Sequence, residues 1–116
     1  MSDFYIVWMP SGGANTQHVA VPVAADEANN RDALMRKVYT LIGDSVAINV
    51  PIKNLAMRAN YVAYCGRITS DKGVNHLATK FLDSNCVATG CLVLLRRNAD
   101  GRVSALSTEE TNLIGI

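Results

Sequence analysis

Six basic side chains offer the densest chemistry in this sequence. Arg96, Arg97 and Arg102 gather around a turn, and Lys72, His76 and Lys80 recur every fourth residue, the spacing of one helix face. Guanidinium forks suit phosphate or carboxylate bidentately, so residues 53–102 form a candidate anion- or nucleic-acid-binding surface. Tyr61 and Tyr64 lie in the same region as side chains on which bases can stack. Charge supports this reading modestly: residues 53–102 hold eight basic and three acidic residues, whereas residues 1–52 hold three and five. Against it, Arg96 and Arg97 end a strand, where charge ordinarily meets solvent and guards a sheet edge. Asp100 also sits between them and Arg102.

The remaining reactive residues form no coherent constellation. A nucleophilic cysteine needs a nearby cation or base, and Cys65 with His76 is the nearest approach to such a pair. That keeps a thiol-dependent enzyme as a remote alternative. Cys65 nonetheless sits in an apolar strand, where a free cysteine behaves as a small hydrophobe. Cys86 and Cys91 lack a second ligand pair, so no metal site is assigned. His18 is a candidate acid or base by residue type but has no carboxylate at a supportive spacing. Asp26-Glu27 reads as a solvated approach to a helix rather than an acid–base pair. Ser11-Gly12-Gly13 lacks the Lys-Ser/Thr of a phosphate loop and the third glycine of a dinucleotide fingerprint, and reads as a hairpin loop. No catalytic residue or cofactor follows from these patterns.

The elements that must position the basic set are clearer. Cys91-Leu92-Val93-Leu94-Leu95 is a run apolar on both faces, and Asn98-Ala99-Asp100-Gly101 supplies turn residues before a return through Arg102–Leu106. Phe4–Met9 is likewise apolar on both faces and belongs in the middle of a sheet. Thr16–Val23 is a second strand, and Pro22, which has no N–H to donate, favours an edge position for it. Residues 30–42 form a helix with Asn29 or Asn30 as cap, Asp32 in the first turn, a Leu34, Met35, Val38, Leu41, Ile42 stripe and Gly43 as stop. Val46–Val50 and Tyr61–Cys65 are further strands; Lys53–Ala59 fits either a short helix or a loop.

A second helix is expected over Lys72–Leu82, capped by Ser70 or Asp71. Its buried stripe is Val74, Leu77, Ala78, Phe81 and Leu82, with Lys72, His76 and Lys80 opposite. Thr108–Thr111 reads as a polar turn. Leu113, Ile114 and Ile116 then form a short apolar terminal segment that either docks on its own sheet or contacts a second protomer.

The predicted architecture is α+β: a two-layer sandwich, β-β-α-β-β-α-β-β, with both helices on one face of a mainly antiparallel sheet. Residues 1–116 are expected to be a single globular domain. Formal net charge is +1, which gives no global field for nucleic acid or membrane. The longest apolar run is far too short to span a bilayer, and the start of the chain has no basic segment of the secretory kind. Three cysteines without metal spacing fit reduced thiols in a cytoplasmic setting. The expectation is a small non-catalytic interaction or assembly protein that self-associates, with a protein partner or a phosphate-bearing ligand as the alternatives.

Overall fold

The structure, a computed structural model, describes residues 4–10, 19–53, 59–67, 75, 82 and 89–114. These build β1 (Phe4–Met9), β2 (Val19–Val23), α1 (Arg31–Ile42), β3 (Ile48–Val50), β4 (Tyr61–Cys65), β5 (Leu92–Arg97), β6 (Val103–Ser104), β7 (Leu106–Ser107) and α2 (Thr108–Ile114). Five strands lie in the order β2-β1-β5-β4-β3, with every neighbouring pair antiparallel. A mainly antiparallel sheet with two helices makes this a compact α+β unit, with a Cα radius of gyration of 13.1 Å.

The two strands that are apolar along their length on both faces take adjacent inner positions, where both faces are covered. Ile6, Val93, Leu95 and Val62 join Leu34, Met35, Val38 and Ile42 of α1 in one core cluster. Val7, Met9, Leu92, Leu94, Ala63 and Cys65 form a second cluster on the opposite face with Ile52 and Leu82. Each cluster takes alternate residues of the same strands, as a period of two requires.

α1 is delimited by local chemistry. The Asn30 side chain accepts from the Ala33 N–H at 3.2 Å, and Gly43 adopts the left-handed conformation (φ 68°) with its N–H donating to the Tyr39 carbonyl. The Trp8 indole N–H reaches the Leu41 carbonyl at 3.2 Å, which satisfies an end-of-helix acceptor and ties β1 to α1.

Three expectations are corrected. The sheet has apolar cover on both faces rather than one: Leu82 packs in the cluster opposite α1, and Glu110 of α2 accepts from Tyr61, which packs against that cluster. The reason is the double-faced strands, whose second apolar face requires its own cover. Within the expected helix over 72–82, Asn75 carries no regular secondary structure and Leu82 forms an isolated antiparallel bridge with Ile52. The other residues of that segment lie outside the described residues. Finally, residues 108–114 are a helix rather than a polar turn followed by an extended end.

The return of the β5 hairpin is also shorter than its pattern suggests. Asn98 N–H donates to the Arg102 carbonyl at 2.8 Å to close the turn, and Gly101 holds φ 85°. β6 then pairs only with Arg96 and Arg97. At Ala105 the chain leaves β5, donates to the Ala28 carbonyl at 2.8 Å, and continues as β7 against Phe4 and Tyr5 of β1. β1 and β5 pair directly only over Val7–Met9 and Leu92–Leu94, so β6 and β7 supply the ladder partners that each lacks beyond that point.

Candidate functional site

The arginines of the hairpin do not form one patch. Arg96 and Arg97 are consecutive in β5 and therefore project from opposite faces. Arg96 Nη1 lies 3.4 Å from Glu110 Oε1, and Arg102 Nε lies 3.5 Å from Asp100 Oδ2. Arg97 makes no ion pair among the described residues. Lys72, His76 and Lys80 lie outside the described residues, so their expected approach to the hairpin has no coordinates. Tyr61 and Tyr64 also part company: Tyr64 packs against the α1-side cluster and Tyr61 against the other, so they offer no common stacking platform.

Tyr61 belongs instead to a polar cluster at the end of the sheet. Its hydroxyl donates to Glu110 Oε2 at 2.9 Å, 49 residues away in sequence. The other carboxylate oxygen receives Arg96 and the Ser107 backbone N–H, the latter at 3.2 Å, and the Glu110 N–H donates to Ser107 Oγ at 3.3 Å. This reciprocal pair is a capping box, and its signature, Ser107-x-x-Glu110, is written in the sequence, where the run of polar residues hides it. All of the cluster's strong donors converge on one carboxylate, which makes it a structural clasp for α2.

Burial foremost, and then the hydrogen bond and negative charge of Glu110, raise the Tyr61 pKa above its ordinary value of 10.0, with Arg96 pulling the other way. A raised pKa in the folded state means that the folded form holds this proton more tightly than the unfolded form. Stability from Tyr61 is therefore fully present below pH 10 and is lost as pH rises through the folded pKa. Urea titrations of the wild-type protein and Tyr61→Phe at alkaline pH check this. The wild type is expected to lose stability more steeply than the variant above pH 10, and parallel curves would contradict the assignment.

The thiols carry little chemistry. Cys65 is fully buried in the second core cluster, and Cys91 is half-buried. Cys86 lies outside the described residues, as do His18 and Ser11-Gly12-Gly13. Among the described residues no three His, Cys, Asp or Glu side chains are grouped to hold a metal ion, and no helix is long and apolar enough to cross a membrane. Glu27 of the Asp26-Glu27 pair is 3.7 Å from Lys37 Nζ.

The surface that stands out is the outer edge of the sheet at β2. Among the described residues no strand pairs with the outer side of β2, and Pro22 sits there as its edge position demands. Val19, Val21 and Val23 oppose Trp8, Ile6 and Phe4, so all three face the α1 layer. Between β2 and α1 runs an open groove of about 350 Å³, lined by Val21, Glu27, Ala33, Arg36, Lys37, Thr40 and Leu41. At the other end of the chain, Leu113 and Ile114 have a helical backbone rather than the extended one that strand addition needs. Their side chains, and all of Ile116, lie outside the described residues.

Comparison with protein-family models, with curated proteins and with solved structures finds no match.

Proposed function

We propose that the protein is a non-catalytic interaction domain that associates with itself through β2. Two protomers would meet antiparallel about a two-fold axis, so that one sheet runs on into the other. A single observation carries this reading: β2 is the last strand in the order of the described sheet, has valine along one face, and leaves Val19 41% exposed. The outer strands of a sheet are the surfaces on which chains add to one another. What favours this over an anion-binding role for residues 53–102 is that Arg96 and Arg102 already have carboxylates within ion-pair distance.

Sedimentation velocity from micromolar to millimolar protein tests the proposal, with a concentration-dependent dimer as the expected result. Val19→Lys, on an exposed side chain, leaves the fold intact and removes apolar contact twice per dimer. Its dissociation constant is expected to rise about tenfold or more, since burying each valine contributes on the order of 1 kcal/mol. A monomer throughout the concentration range would end the reading.

A further inference from the structure

We propose that Asp100–Gly101 is a spontaneous modification site, where the folded chain converts aspartate to isoaspartate and thereby releases β6 from β5. The Gly101 amide nitrogen attacks Asp100 Cγ, and a C–N bond forms there. The amide proton and the carboxyl hydroxyl depart together as water, leaving a succinimide ring. Water then reopens the ring at either of its carbonyl carbons. Opening at Asp100 Cγ restores aspartate, whereas opening at the main-chain carbonyl carbon leaves the chain running through Cβ and Cγ. No oxidant, reductant or other reactant is consumed.

Two aspartates in the same local geometry show why this position is the reactive one. Asp100 Oδ1 accepts from the Arg102 N–H at 3.0 Å, and Asp44 Oδ1 accepts from the Val46 N–H at 3.2 Å. In each, the carboxylate folds forward along the peptide whose nitrogen closes the ring. Their surroundings differ. The Asp44 side chain is 12% exposed, its other oxygen accepts from the Arg67 N–H at 2.9 Å, and Ser45 places a Cβ beside the attacking nitrogen. The Asp100 side chain is 59% exposed, and its 3.5 Å pair with Arg102 is of the solvated kind that restrains little. The residue after it is glycine, and even an added Cβ there would meet nothing within 4 Å. One hydrogen bond across the turn, to the Asn98 carbonyl at 2.9 Å, engages the Gly101 nitrogen. Asp100–Gly101 is also the only Asp-Gly in the sequence, which contains no Asn-Gly.

An isoaspartyl link adds a methylene to the main chain of the turn. The Asn98 N–H then no longer meets the Arg102 carbonyl, the 2.8 Å contact that closes the hairpin. β6 has only two ladder pairs, Arg96 with Ser104 and Arg97 with Val103, so little else holds it to β5 once the turn opens.

The test uses the full chain aged for weeks at neutral pH beside a synthetic peptide of residues 96–103. Trypsin releases Asn98–Arg102, whose aspartyl and isoaspartyl forms separate by chromatography and are distinguished by electron-transfer fragmentation. The folded chain is expected to convert at Asp100 about tenfold more slowly than the peptide, the scale of one turn hydrogen bond and one exposed ion pair. Asp44 is expected to stay unmodified, and Asp100→Glu, which keeps the charge but would need a six-membered ring, is expected to abolish the signal. Hydrogen exchange at the Asn98 amide is expected to quicken in the modified chain. A folded chain that forms no isoaspartate at Asp100 while the peptide converts overturns the inference. Equal conversion at Asp44 overturns its structural basis, and unchanged protection of Asn98 in the modified chain overturns the release of β6.

Discussion

Asn75→Ala is expected to lower the free energy of unfolding by about 2–4 kcal/mol, because it strips the donors from two carbonyl groups at once. The Asn75 side chain is 1% exposed, and its Nδ2 donates to the Met9 carbonyl at 3.0 Å and to the Gly90 carbonyl at 2.8 Å. Met9 is the last residue of β1, and its partner in the ladder, Leu92, is the first of β5. Beyond that pair β1 and β5 exchange no further ladder bonds, and the Asn75 amide donates to one carbonyl on each side. Removing it leaves the buried Met9 carbonyl and the partly buried Gly90 carbonyl without this donor, and each unmet buried group costs about 1–3 kcal/mol. Asn75→Asp separates this from packing. It has nearly the same shape but no donor when ionised, so at neutral pH it is expected to destabilise at least as much as alanine. At acid pH its protonated form regains one O–H and part of the loss. Urea unfolding of both variants checks the prediction, and values within about 0.5 kcal/mol of wild type, the range of ordinary surface changes, would refute it.

Such a role for Asn75 is not legible in sequence, where it sits between Val74 and His76 in a segment with helical periodicity. What is legible depends on local physics. Asn30 and Gly43 bound α1 because caps act within one turn, and Pro22 marks an edge because a missing N–H is a property of the residue itself. The double-faced runs Phe4–Met9 and Cys91–Leu95 identify inner strands for the same reason. Their implication is nonetheless stronger than a two-layer sandwich allows: Val7, Met9, Leu92 and Leu94 require a second cover as surely as Ile6, Val93 and Leu95 require α1. The opposite aim of Arg96 and Arg97 was likewise available from strand alternation alone. By contrast, the departure of the chain from β5 at Ala105 answers a gap between two strands distant in sequence, and no local pattern announces it. At the candidate site, the open edge is readable from Pro22. The groove behind it depends on how far α1 extends over the sheet, which is a matter of packing.

Glu110 and Glu109 provide a controlled comparison, because both occupy the first turn of α2 and both benefit from its dipole by roughly 0.3–1 kcal/mol. They differ in everything else. Glu109 is exposed, whereas the Glu110 carboxylate is 16% exposed and accepts from Tyr61, Arg96 and Ser107. Glu109→Ala is therefore expected to cost no more than the dipole effect. Glu110→Ala removes the capping box and leaves the Tyr61 hydroxyl without its acceptor, for an expected loss of about 2–4 kcal/mol. Glu110→Gln keeps an acceptor but not the charge, and falls between the two. The loss should also be shared with Tyr61: a cycle with Tyr61→Phe is expected to give a coupling of about 1 kcal/mol or more, as for residues in direct contact. Hydrogen exchange locates the effect, since α2 is held to the sheet through Glu110 while β1 and β5 have their own ladders. Protection is expected to fall over residues 106–114 and to persist over Val7–Met9 and Leu92–Leu94. Equal losses for Glu109→Ala and Glu110→Ala would mean that the dipole alone stabilises α2 and that the clasp contributes nothing.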